Sequence, residues 1–176
     1  MTEITVQFPA SKWYKGIPPR SVLNFVQPSI RILLVDDFKD WLRQVRLLLQ
    51  PRPEWQVIAE ASDGPEGIQK AEELKPDLIL LDIGLPKLNG IEAARRIRRL
   101  SPSSKIIFLS LYSSPGLVQE ALSTGALGYV RKTDAERDLL PAVDAVLRGK
   151  QFVSSSLKVY KSTGNSVERT VHRHEV

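Results

Sequence analysis

Four apolar runs in this chain end on residues able to do chemistry. Ile30–Val35 (IRILLV) runs into Asp36 and Asp37, and Leu78–Leu81 runs into Asp82. KIIFLS closes on Ser110, and GYVRK closes on Lys132. Together these supply three carboxylates, a hydroxyl and an ammonium. If they converge, the carboxylates are unfavourable by themselves: two unit charges about 4 Å apart repel by roughly 4 kcal/mol at an effective dielectric near 20. A divalent cation offsets that repulsion, and a hard-oxygen donor set suits Mg²⁺. Lys132 would add positive charge, and Ser110 a hydrogen bond, toward an incoming anion. The implied ligand is a phosphoryl group with one carboxylate as its acceptor. Taken singly, each residue has a plainer role. Asp82 and Asp37 can cap helices, Ser110 can be an ordinary strand-end hydroxyl, and Lys132 can be solvated.

Only a particular architecture brings these residues together. Asp82 lies inside PDLILLDIGLPKLNG, where a short apolar run is followed at once by Gly84, Pro86, Asn89 and Gly90. That is a buried strand meeting a loop. After the first strand, Trp41, Leu42, Val45, Leu48 and Leu49 repeat at helical spacing until Pro51 and Pro53. A second strand reads from Trp55 to Ala61, Asp63–Gly64 turns the chain, and residues 65–74 are helical. Ile91, Ala94 and Ile97 mark a third helix ending near Ser101–Pro102. The fourth strand, Lys105–Ser110, precedes a helix from about Pro115 to Ser123. A fifth strand over Gly128–Lys132 leads to a helix capped by Asp134 and ending near Arg148–Gly149. Five strands alternating with five helices in about 120 residues predict an α/β, doubly wound parallel sheet with right-handed crossovers. In such a sheet all carboxyl ends share one edge, the usual place for chemistry.

The chain's 176 residues hold one ordinary domain plus extensions. The formal charge is +5, yet residues 30–150 hold 18 basic and 17 acidic side chains. The excess sits in the ends, so the core offers no clustered basic face for nucleic acid. With no cysteine, disulfides, thiol catalysis and thiolate metal sites are excluded. No apolar run approaches the roughly 18 residues of a membrane span, and the N-terminus is not a secretory signal. A cytoplasmic protein is expected. Residues 1–29, broken by Pro9, Pro18, Pro19 and Pro28, read as a flexible arm, with Trp13 and Tyr14 able to pack elsewhere. Arg95–Arg99 (RRIRR) reads as a solvated helix face, and His172 and His174 as tail residues without a metal.

The residues also carry a resemblance. From Ile30 to about Gly149 the chain resembles the receiver domain of two-component response regulators. The matching features are the pair Asp36–Asp37, Asp82 in LLDIGLPKLNG, Ser110 in FLSLY, Lys132 in GYVRK, and Pro86 and Gly90 after the acceptor. The resemblance implies a flavodoxin-like five-stranded sheet of order 2-1-3-4-5 flanked by five helices. It implies that Asp82 accepts a phosphoryl group from a sensor histidine kinase or phosphotransfer protein, in a reaction the domain itself catalyses with Mg²⁺. Asp37, Asp82 and the Gly84 backbone carbonyl would ligate the ion, and Asp36 would act through water. Ser110 and Tyr129 would form the switch that alters a surface for a downstream protein or a second copy. Thr133 and Leu111 depart from the pattern, which commonly has proline and a small residue there.

Residues 149–157 (GKQFVSSSL) resemble the receiver end in the subfamily that carries a helix-turn-helix output domain. The 19 residues after Leu157 have no helical period, so residues 151–176 are expected to be linker or tail, without an output domain and without direct DNA binding. VHRHEV would suit the first strand of a further domain. The alternatives are an unphosphorylated docking or dimerisation module, and a fragment of a longer regulator. A nucleotide-binding flavodoxin-like enzyme is disfavoured because no glycine-rich phosphate loop follows the first strand.

Overall fold

The computed structural model describes residues 29–157. Residues 1–28 and 158–176, with Trp13, Tyr14, His172, His174 and most of the expected arm and tail, lie outside the described residues.

Six parallel strands form one sheet in the order β2-β1-β3-β4-β5-β6. They are β1 (Ile30–Val35), β2 (Trp55–Ala61), β3 (Leu78–Leu81), β4 (Lys105–Ser110), β5 (Gly128–Arg131) and β6 (Phe152–Val153). The helices are α1 (Lys39–Leu49), α2 (Gly64–Leu74), α3 (Gly90–Leu100), α4 (Pro115–Ser123) and α5 (Ala135–Leu147). The expected order 2-1-3-4-5 is present, and β6 extends it by one strand. Phe152 pairs with Gly128 and Val153 with Tyr129, so part of the expected linker belongs to the sheet.

The period of two along each strand decides the layers. Leu33 and Val35 face a cluster with α2, α3 and α4, including Ala71, Ile97 and Val118. Ile32 and Leu34 face the other cluster with α1 and α5, including Val45, Leu139 and Val146. β3 is buried along its whole length, which explains why LILL is apolar without alternation.

Caps fix where the helices begin. Asp63 accepts the Glu66 N–H at 2.8 Å, and Asn89 accepts the Glu92 N–H at 2.9 Å. Asp134 stands at the N-cap of α5 as expected, but its side chain makes no cap bond. Residues Lys132–Asp134 form a single 3-10 turn before α5, and the Asp134 carboxylate instead accepts the Ser156 hydroxyl at 2.5 Å. At the far end of the sheet, the Arg52 guanidinium lies 4.2 Å over the Trp55 ring. It also makes two 2.9 Å bonds to Asp144. Among the described residues no helix is long and apolar enough to cross a membrane.

Candidate functional site

The carboxyl ends of β1, β3 and β5 share one edge of the sheet, with β4 between the last two, and their polar residues meet there. Asp36 and Asp82 are buried, while Asp37 is exposed. One oxygen from each lies within 4.8 Å of the others. The local chain holds these carboxylates in place. Asp36 Oδ1 accepts the Phe38 N–H at 3.0 Å, which turns the chain into α1. Asp82 Oδ2 accepts the Gly84 N–H at 3.1 Å. The loop then folds back, with the Gly90 N–H donating to the Ile83 carbonyl at 2.9 Å. A Cβ on Gly90 would stand 1.9 Å from the Asp82 carbonyl oxygen, so only glycine lets α3 start so close beneath the site.

Lys132, the residue after β5, reaches across the sheet edge. Its Nζ is 2.6 Å from Asp36 Oδ2 and 3.4 Å from Asp82 Oδ1. One ammonium therefore serves two buried carboxylates with a third beside them. Burial pushes the Asp82 carboxyl above its ordinary range; Lys132 opposes this, and the Asp36 charge adds to it. A site with surplus negative charge and a carboxyl reluctant to ionise has room for a cation. The three donors are all carboxylate oxygens, the set a hard divalent ion takes.

The other two expected residues are joined through a residue the sequence reading passed over. Ser110, fully buried at the end of β4, accepts the Tyr112 N–H at 3.3 Å. Tyr129 is also fully buried, and its hydroxyl donates to the Tyr112 carbonyl at 2.9 Å. Burial raises the Tyr129 phenol above its usual range, opposed by the Ser110 hydroxyl and aided by the Asp82 charge. Tyr112 thus ties Ser110 and Tyr129 to one short loop. Its place two residues beyond a strand-end hydroxyl was the available signal.

A cavity of about 590 Å³ opens over Asp37, Asp82 and Lys132, walled by Trp41, Leu111 and Tyr112. Leu111 is exposed, so its bulk stands at the mouth and not in the core. A larger apolar cavity of about 740 Å³ lies between α4 and β6, lined by Val118, Leu122, Val153 and Leu157. It holds none of the carboxylates. The arginines of α3 go elsewhere: Arg95 meets Glu92 and Glu120, Arg96 meets Glu92, and Arg98 bonds the Pro102 carbonyl. That is the solvated face expected of them.

The sequence profile of the response regulator receiver domain matches residues 32–144. The chain belongs to the response regulator receiver family. It is 35% identical over 125 residues to the transcriptional regulatory protein DegU of Brevibacillus brevis, covering 71% of this chain and 53% of that protein. It is 38% identical over 131 residues to the nitrate/nitrite response regulator NarL of Escherichia coli K12, covering 74% and 61%. The receiver chain thus spans little more than half the length of these curated relatives. Among solved structures, a LuxR-family response regulator from Aurantimonas sp. SI85-9A1 superposes with a TM-score of 0.73 at 32% identity, covering 77% of this chain and 97% of that one. The isolated receiver of Salmonella enterica RcsB, solved with the phosphomimetic BeF₃⁻, gives 0.70 at 26% identity, covering 74% and 97%. The flavodoxin-like receiver fold and the LuxR/NarL type follow.

Proposed function

We propose that this receiver accepts a phosphoryl group on Asp82 from a phosphohistidine-bearing kinase or phosphotransfer protein, with Mg²⁺, and signals by moving Ser110 and Tyr129. The observation that carries the reading is the cluster itself: three carboxylate oxygens within 4.8 Å, with one ammonium 2.6 Å from Asp36 and 3.4 Å from Asp82.

In the transfer, an Asp82 carboxylate oxygen forms a bond to phosphorus while the phosphorus–nitrogen bond of the donor breaks. The bonding pair leaves with the imidazole nitrogen, which then takes up a proton. Asp37, Asp82 and the Gly84 carbonyl would hold the Mg²⁺ directly, and Asp36, whose oxygens already meet the Phe38 N–H and Lys132, would act through water. When bound, the ion supplies Lewis-acid stabilisation of the phosphoryl oxygens. Lys132 already stands beside the acceptor oxygen and needs little motion to bond a phosphoryl oxygen. Ser110 is the hydroxyl at the same edge. In turning toward the new dianion it would release the Tyr112 N–H and loosen the loop that also holds Tyr129. Shifting a two-state equilibrium from 1:99 to 99:1 takes about 5.5 kcal/mol. Charge-assisted bonds from Lys132 and Ser110 at about 1.5–3 kcal/mol each supply much of it. The dependent surface would meet a downstream protein or a second copy.

The test is intact mass after incubation with acetyl phosphate and Mg²⁺, beside Asp82→Ala and a chelator control. A phosphate adduct that needs Mg²⁺ and is lost in the variant is expected. An adduct that persists in Asp82→Ala overturns the acceptor assignment. No adduct with either acetyl phosphate or a phosphorylated partner favours the docking-module reading.

A further inference from the structure

Trp41 lies in the first turn of α1, five residues beyond Asp36, and helical spacing accounts for it only as a core-facing residue. Its ring does more than pack. The Lys132 ammonium is 5.5 Å from the ring centroid, within the roughly 6 Å range of cation–π attraction. The Lys132 side chain is only 10% exposed, so little water competes for that ammonium. Trp41 and Lys132 together line both the cavity above Asp82 and a second of about 340 Å³ running toward α5.

The reason such a contact matters is competition for oxygen. Lys132 now leans on Asp36 and Asp82, the same carboxylates that suit a divalent ion. Those oxygens cannot serve the ion and the ammonium equally. An aromatic face attracts the ammonium without drawing on any carboxylate, and it stays available when the oxygens are engaged. We infer that Trp41 is a positioning residue for Lys132, holding its ammonium at the acidic cluster through the face of the indole. The consequence for phosphoryl transfer rests on the proposed acceptor role of Asp82; the contact itself does not.

Two arms test this. In the first, metal-free protein is unfolded in urea as wild type, Trp41→Leu, Lys132→Met and the double variant. The expected result is a coupling of about 2- to 30-fold in the unfolding constant beyond the product of the single changes. In the second, Trp41→Phe is set against Trp41→Leu, which keeps apolar bulk and discards the π face. Trp41→Phe should phosphorylate within about threefold of wild type, whereas Trp41→Leu should fall about tenfold at unchanged Mg²⁺ half-saturation. The same pair compared in urea keeps the first arm decisive if Lys132→Met fails to fold: Trp41→Phe should then be the more stable. No coupling, or equal behaviour of the phenylalanine and leucine variants, overturns the inference. A wild-type protein that takes no phosphoryl group sinks the acceptor reading, and the unfolding arm still decides whether the ring holds the ammonium.

Discussion

Two aspartates in this receiver are almost equally exposed, yet their carboxyls are shifted in opposite directions. Asp63, at the start of α2, is 6% exposed, and Asp82, at the end of β3, is 7% exposed. Each is paired with a lysine distant in sequence, Lys87 and Lys132. Lys87 holds the Asp63 carboxyl below its usual range, and the Glu66 N–H helps. The Asp82 carboxyl is held above it, chiefly by burial. The difference lies in what outweighs burial: at Asp63 the Lys87 bond and the Glu66 N–H do, whereas at Asp82 desolvation wins over a longer contact to Lys132 and the Asp36 charge adds to it. Asp63 has an ammonium to itself and a capped helix behind it. Asp82 shares one with Asp36, and Asp37 stands close by. Equal exposure of the residue therefore does not fix the carboxyl's proton affinity; its bonds and neighbouring charges do.

Removing the shared cation tests that difference hardest. Lys132→Met should lower phosphoryl uptake by about 100- to 1000-fold, the usual cost of losing a charge-stabilising donor, as radiolabel transfer would show. Next comes Asp82, the proposed acceptor. With a raised pKa, the folded protein binds the Asp82 proton more tightly than the unfolded chain does, so ionising this group destabilises the fold. Stability from this group is present below the unfolded value of 3.8 and is lost as pH rises above it. Asp82→Asn should therefore be more stable than wild type at neutral pH in metal-free urea melts, with the gain shrinking as pH falls toward 4, while phosphoryl uptake is abolished. Lys87→Met should have the smallest effect, because Lys87 is 69% exposed. Its sign is the reverse. The lowered Asp63 value adds stability above the unfolded 3.8, and this is lost as pH falls through the folded value. The variant should melt slightly lower at neutral pH, converge with wild type in acid, and take up phosphoryl groups normally.

Much of the frame was legible because its signals are physical and local. Trp55–Ala61, Leu78–Leu81 and Lys105–Ser110 begin and end where their apolar runs do. Prolines, glycines and Asn89 mark the turns between them. Asp36, Asp37, Asp82 and Lys132 could be placed together because a parallel sheet sends every carboxyl end to one edge. What escaped has no period. Phe152–Val153 is two residues long, too short to alternate, and became a strand only by pairing with β5. The Lys87–Asp63 pair joins a loop residue at φ 63°, an unusual conformation for lysine, to a cap 24 residues earlier. Trp41 satisfied a helical pattern so well that its nearness to Lys132, 91 positions later, left no trace in the sequence.

Trp41 and Trp55 also give the protein an internal optical reference. Both indoles have a cation over the ring, but Trp55 pairs with Ile30 at the first rung of the sheet and its Arg52 is locked by Asp144, whereas Lys132 stands at the site. With Trp13 changed to phenylalanine, emission from Trp55 should stay constant while that from Trp41 follows the charge state of the carboxylates. Occupancy could then be read by fluorescence against a standard built into the same molecule, with no label attached.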